Sequence, residues 1–116
     1  MRALLLAALL LPAAAPAAWA ETRCGWIVNP TPANWWLEDA DGTWLLMTQG
    51  APGVPGMELI PDLTEGDWVR TNGWYGYGCA CMEVVRRGDS IARILSFEQI
   101  PLRRCLADPA LPAPPG

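Results

Sequence analysis

Apolar and polar positions alternate at a period of two over short runs, and a sustained helical spacing is weak everywhere along the chain. Residues 24–29, CGWIVN, form a short β-prone run. The prolines of Pro30-Thr31-Pro32 interrupt it, because proline cannot donate to a sheet ladder. Residues 34–49, NWWLEDADGTWLLMTQ, read as two strands joined at Asp41-Gly42, both of which tolerate positive φ. The Gly/Pro-rich connection 50–66 is long for a small domain, and is expected to be a functional or a flexible loop. Trp68-Val69-Arg70 is strand-like, and Asn72-Gly73 marks a further turn. Residues 78–85 form a strand, RRGD at 86–89 turns, and SIARILSF at 90–97 runs back. The stretch 96–109 has room for one helical turn, and no internal repeat is visible.

This pattern predicts an all-β fold of about six short strands, a small disulfide-linked barrel or a strongly twisted antiparallel sheet. An SH3-like or OB-like barrel would suit the size. If 78–85 pairs with 90–97 across a turn of two or four residues, Ala80, Met82 and Val84 share a core face with Ile91, Leu95 and Phe97, Arg93 being the exception. Cys79, Cys81 and Glu83 then lie on the opposite face with Ile94.

The N-terminus changes the picture of where the domain begins. Arg2 precedes the apolar run ALLLAALLLPAAAPAA, which is shorter than the about 20 apolar residues of a membrane span. The run ends in Ala18-Trp19-Ala20, a small-x-small pattern, so residues 1–20 read as a signal peptide cleaved after Ala20. The charged and bulky residues Glu21-Thr22-Arg23 before Cys24 argue against a lipid anchor. Of 116 residues, removing 20 leaves 96, enough for one domain, expected over 21–107. The Pro/Ala-rich tail 108–116 is expected to be disordered.

Cys24, Cys79, Cys81 and Cys105 all lie beyond the leader, and an even count in an exported chain reads as two disulfides. Cys79 and Cys81 share a strand face, so Cys24 and Cys105 must both reach it, stapling the first strand and the C-terminal segment onto one central strand. Pairing 24–79 with 81–105 and pairing 24–81 with 79–105 are both open. A four-cysteine zinc site ordinarily uses two C-x₂₋₄-C knuckles, and here one half is C-x-C and the other cysteines stand alone. A C-x-C redox pair needs a small strained ring and a reactive thiolate. No metal and no other cofactor is expected.

The formal charge of −4 becomes −5 once Arg2 is removed, and every basic residue is arginine. That balance argues against nucleic acid and against attachment to anionic lipid. The absence of histidine removes Ser-His-Asp and Cys-His mechanisms, and the absence of lysine removes Schiff-base chemistry. A carboxylate pair, as in glycoside hydrolysis, is the catalytic option left, drawn from acids such as Glu38, Asp39, Asp41 and Glu58. Residues 39–42, DADG, could open a calcium loop, but the distal glutamate of an EF-hand is missing and a hairpin turn explains them better.

Tryptophan stands out: the chain holds seven, and six lie beyond the leader. Adjacent Trp35 and Trp36 must face opposite sides of a strand, so at least one can lie outside the core. Trp74 and Tyr75 follow the Asn72-Gly73 turn and are expected at an exposed strand end. Exposed aromatics beside polar groups hold sugar rings or anchor protein partners, which makes Trp35, Trp36, Trp74 and Tyr75 the candidate binding residues.

The stretches CGWIVNPTPANWWLEDADGTW, IPDLTEGDWVRTNGWYGYGCACMEV and ILSFEQIPLRRCLADPAL cover nearly all of the chain beyond the leader. They resemble a family of small exported bacterial proteins known only as domain of unknown function 4087. The resemblance implies an exported bacterial protein and carries no activity, ligand or site. The expected function is a non-enzymatic binding or accessory module of the cell envelope, periplasmic or secreted, whose partner is envelope glycan or an envelope protein. The alternatives are a carboxylate-dependent cell-wall hydrolase and a thiol-based metal or redox protein.

Overall fold

The structure, a computed structural model, describes residues 19–116. The expected leader, apart from its last two residues, lies outside the described residues. Six antiparallel strands form one sheet: β1 (Ala20–Thr31), β2 (Asn34–Asp39), β3 (Gly42–Met47), β4 (Trp68–Asn72), β5 (Tyr75–Arg87) and β6 (Ser90–Ile100). A short helix, α1 (Leu102–Leu106), follows. The strand order is β3-β2-β1-β5-β4, with β6 also on β5. β4 and β6 share one edge of β5 end to end: β4 pairs up to Gly78 and β6 begins at Cys79.

The all-β expectation is met by the twisted sheet and not by a closed barrel. β3 and β6 form no ladder with each other. The long loop after β3 bridges them instead. The Val54 N–H donates to the Leu46 carbonyl on β3, and the Pro55 carbonyl accepts from the Ile94 N–H on β6. Gly56, at φ 98, follows directly, and a Cβ there would collide with the Ile94 carbonyl. The loop is therefore tied to both strands. It carries Leu63 into the core and packs Val54, Met57 and Ile60 against it.

The first strand is longer than its apolar run, because the Glu21-Thr22-Arg23 segment also pairs with β5. Pro30 does not end it. The register shifts between Val28 and Thr31, which takes the proline out of the regular ladder, and Pro32-Ala33 make the turn into β2. Ala33 sits at φ 59. The Asn29 Nδ2 clasps this turn by donating to the Thr31 and Asn34 carbonyls.

The inner face of the sheet buries Ile27, Leu37, Trp44, Leu46, Ala80, Met82, Val84, Ile91 and Ile94. The β5–β6 pairing holds the expected odd register from Cys79–Ile100 to Glu83–Ser96, then shifts, so that Val84 faces Ile94. This β-bulge corrects the face assignment: Ile94 is in the core and Leu95 is exposed. A second shift follows between Val85 and Arg86, and a uniform period of two anticipates neither.

The outer face has its own cluster of Trp26, Val28, Cys79 and Cys105, backed by Trp36, Tyr77, Ile100, Leu102 and Leu111. The tail, expected to be disordered, lies on this cluster. Leu111 packs into it, and the Trp26 Nε1 donates to the Pro112 carbonyl at 3.0 Å. Composition flagged a segment too poor in apolar residues to make a core of its own. It could not show that a core face was waiting for a cover.

Cys24 bonds to Cys81 and Cys79 to Cys105, which closes the question of pairing. The first strand and the C-terminal segment are both stapled to β5, as the spacing implied. The routes differ. Cys24 is the direct cross-strand neighbour of Cys81 within the sheet, and Cys105 reaches Cys79 from α1.

Candidate functional site

The β4–β5 hairpin carries Trp74, an exposed aromatic. Its turn residues are Gly73, at φ 59, and Trp74. Trp74 therefore stands in the turn itself, and its side chain is 66% exposed. Two neighbours fix it. The Arg70 guanidinium lies 4.4 Å from the centre of the Trp74 ring, and the Trp68 Nε1 donates to the Trp74 carbonyl at 3.1 Å.

The YGYG run explains why these large groups fit. Across the ladder, Trp68 stands opposite Gly78 and Arg70 opposite Gly76. A Cβ on Gly78 would approach Trp68 Cε3 to 3.0 Å. Gly78 thus leaves room for the Trp68 ring and Gly76 for the Val69 carbonyl, while Tyr75 and Tyr77 alternate onto the other face. Tyr75 is half-buried beside this tip.

The Trp35/Trp36 pair divides across the sheet. Trp35 packs against the inner core. Trp36 packs against the outer cluster and donates from Nε1 to Glu38 Oε1 at 2.9 Å. The four nominated aromatics do not converge on one surface. Sequence reasoning missed Arg70 and Trp68, although their i, i+2 spacing puts them on one strand face next to the turn.

A second concavity lies between the β2–β3 turn and the tail. It is an open cleft of about 550 Å³ lined by residues 38–43 and 110–112. Each of its carboxylates is already engaged. Glu38 accepts from Trp36, and Asp41 from Arg23 at 3.0 Å. Asp39 accepts from Arg23 Nη1 at 2.8 Å, from Trp44 Nε1 at 2.9 Å, and from the Asp41 and Gly42 N–H groups. The DADG stretch is thus a hairpin turn organised by Asp39, as its spacing suggested.

Arg23 itself is 7% exposed and sits 3.9 Å from the Trp44 ring centre. Its Nη2 donates to Glu21 Oε2, and Glu21 Oε1 meets Arg86 Nε at 3.0 Å. The Arg23 Nε has no partner among the described residues. Burial opposes the Arg23 charge, but the hydrogen bonds of Asp39 and Asp41 and the charges of Asp39 and Glu21 outweigh it and hold its pKa above the ordinary value. Burial likewise pushes the Asp39 carboxyl up. The hydrogen bonds of Arg23, Trp44 and the Asp41 N–H, with the Arg23 charge, prevail and hold it below the usual range.

Among the described residues no group of three or more His, Cys, Asp or Glu side chains is placed to hold a metal ion, and no cysteine is free. No helix among them is long and apolar enough to cross a membrane.

The family described as Protein of unknown function (DUF4087) matches residues 18–112. The chain belongs to this family. The match spans all six strands, α1 and the first tail residues that lie on Trp26. No curated protein and no solved structure matches the chain. The DUF4087 description assigns no activity, so any functional reading rests on the geometry above.

Proposed function

We propose that this DUF4087 protein is an exported, non-enzymatic binding module of the bacterial cell envelope, and that Trp74 is its ligand contact, with Arg70 and Tyr75 beside it. The partner is envelope glycan or an envelope protein. The observation that carries this reading is that Trp74 stays exposed while its backbone and one neighbouring charge hold it in place. A solvated tryptophan contributes little to folding. One held in a fixed pose loses little side-chain freedom on contacting a sugar ring or an apolar partner.

Export is supported by the two disulfides, which persist in oxidising compartments. It is also supported by the apolar N-terminal run and by the start of the sheet at Ala20, beside the expected cleavage point. The hydrolase alternative has less support. Its general acid would need a carboxyl pushed up, and Asp39 is held down. The thiol alternative needs a free thiolate, and all four cysteines are bonded.

Titration with solubilised peptidoglycan fragments, read by tryptophan fluorescence, tests the proposal. A saturable shift that Trp74→Ala abolishes, with unfolding midpoints unchanged, is the expected result. Saturable binding that survives Trp74→Ala would remove the tip from the account. If no envelope glycan or envelope-protein extract perturbs Trp74, the binding reading is wrong.

A further inference from the structure

The tail 108–116 contains four prolines, at 109, 112, 114 and 115. So many prolines leave the segment short of backbone donors, and residues 108–111 close a turn in which the Leu111 N–H donates to the Asp108 carbonyl. From Pro112 to Gly116 the tail makes no backbone–backbone hydrogen bond among the described residues. Its specific polar contact is the Pro112 carbonyl, which accepts from the Trp26 indole. Trp26 is braced edge-on by Tyr77, ring centres 5.5 Å apart at 88°. Leu111 packs into the same cluster, and Gly116 ends beside Thr71 and Tyr77. An aromatic-lined face that donates one indole N–H to a carbonyl of a proline-rich chain is the chemistry by which extended proline-rich peptides are recognised.

We propose that the outer face around Trp26 and Tyr77 is a receptor for a proline-rich segment of a partner protein, and that the chain's own tail occupies it in cis. This surface is distinct from the Trp74 tip and does not depend on it. The tether favours the tail as resident occupant. Cys105, on α1, is bonded to Cys79, so only six residues separate that anchor from Pro112. So short a link gives the tail a high effective concentration at its own groove. The same link disfavours exchange of tails between two copies. A partner must therefore displace the tail, and loosening the tail opens the groove.

Leu111→Ser in the full chain removes the apolar anchor of the tail and leaves the inner core and both disulfides in place. The probe is a capped synthetic peptide of residues 108–116, with a second peptide in which every proline is replaced by alanine. Binding is followed by the ¹⁵N–¹H signal of the Trp26 indole. The Leu111→Ser chain is expected to bind the proline peptide saturably, at least about tenfold more tightly than the unaltered chain does, with the Trp26 signal shifting. The alanine peptide is expected to bind at least about tenfold more weakly than the proline peptide. Three results each overturn the proposal: no saturable binding by Leu111→Ser into the millimolar range, equal binding of the two peptides, or equal binding by the two chains.

Discussion

Arg23 Nη1 donates to Asp39 Oδ2 at 2.8 Å, between a first-strand position and the end of the second, both side chains almost wholly withdrawn from water. Trp44 stacks on the guanidinium and also donates to the carboxylate, so three strands meet in one polar contact. Removing Asp39 takes away the most buried partner of Arg23, leaving it Glu21 and the exposed Asp41, and leaves the buried Trp44 Nε1 without its acceptor. Asp39→Ala is expected to cost about 3–5 kcal/mol, the usual loss on breaking a buried pair. Adding Arg23→Met to it should cost less than the two single losses summed, because both single changes break the same contact. Urea unfolding of the two single variants and the double one checks this.

The same pair sets an acid limit. The folded Asp39 carboxyl is held below its ordinary value, so its contribution is fully present above the unfolded pKa of about 3.9 and is lost as pH falls through the lower folded value. The raised Arg23 value places its own loss at high pH, outside this window. Stability should therefore drop in the acid range below about pH 4, and Asp39→Asn should show a shallower acid slope than the unaltered chain. Thermal unfolding across acid and neutral buffers reads the difference.

The bulge on β6 makes Ile94 and Leu95 unequal despite their similar chemistry. Ile94 is buried in the inner core and Leu95 faces solvent. Ile94→Ala is expected to cost about 2–5 kcal/mol, as for other buried large-to-small changes. Leu95→Ala is expected to stay within about 0.5 kcal/mol of the unaltered chain. Equilibrium denaturation of both variants is the check.

That pair also shows how far the chain could be read directly. Val84, Met82 and Ala80 were legible as core because alternation holds along β5. The shift past Glu83 was not, because bulges depend on cross-strand fit that one strand's pattern does not encode. The C-x-C spacing gave the shared face of Cys79 and Cys81 and the stapling of both chain ends. The pairing needed the register that sets Cys24 opposite Cys81. In the sequence, Glu21 and Arg23 register only as charged, bulky residues that argue against a lipid anchor. Their i, i+2 spacing on one face was the available signal, but their carboxylate and indole partners come from another hairpin. Trp74 was nominated by its turn. Arg70, which lies against its ring, was not.

The two disulfides differ in access. Cys24 is exposed and Cys81 half-buried, whereas Cys79 and Cys105 are buried. A mild thiol reductant should open Cys24–Cys81 first, leaving a species with two alkylatable thiols at 24 and 81. Replacing Cys79 and Cys105 together by alanine should cost about 3 kcal/mol, in line with the loop that bond closes. Timed alkylation with peptide mapping gives the order, and denaturation gives the cost.

Intact-mass measurement of the protein recovered from outside the cytoplasm of a bacterial host, after exposure to an alkylating reagent without reductant, tests export and oxidation together. The account predicts a chain beginning at Glu21, lighter by four hydrogens than its reduced form, with no alkyl group added. A chain that keeps residues 1–20, or one that takes up four alkyl groups while folded, would contradict it.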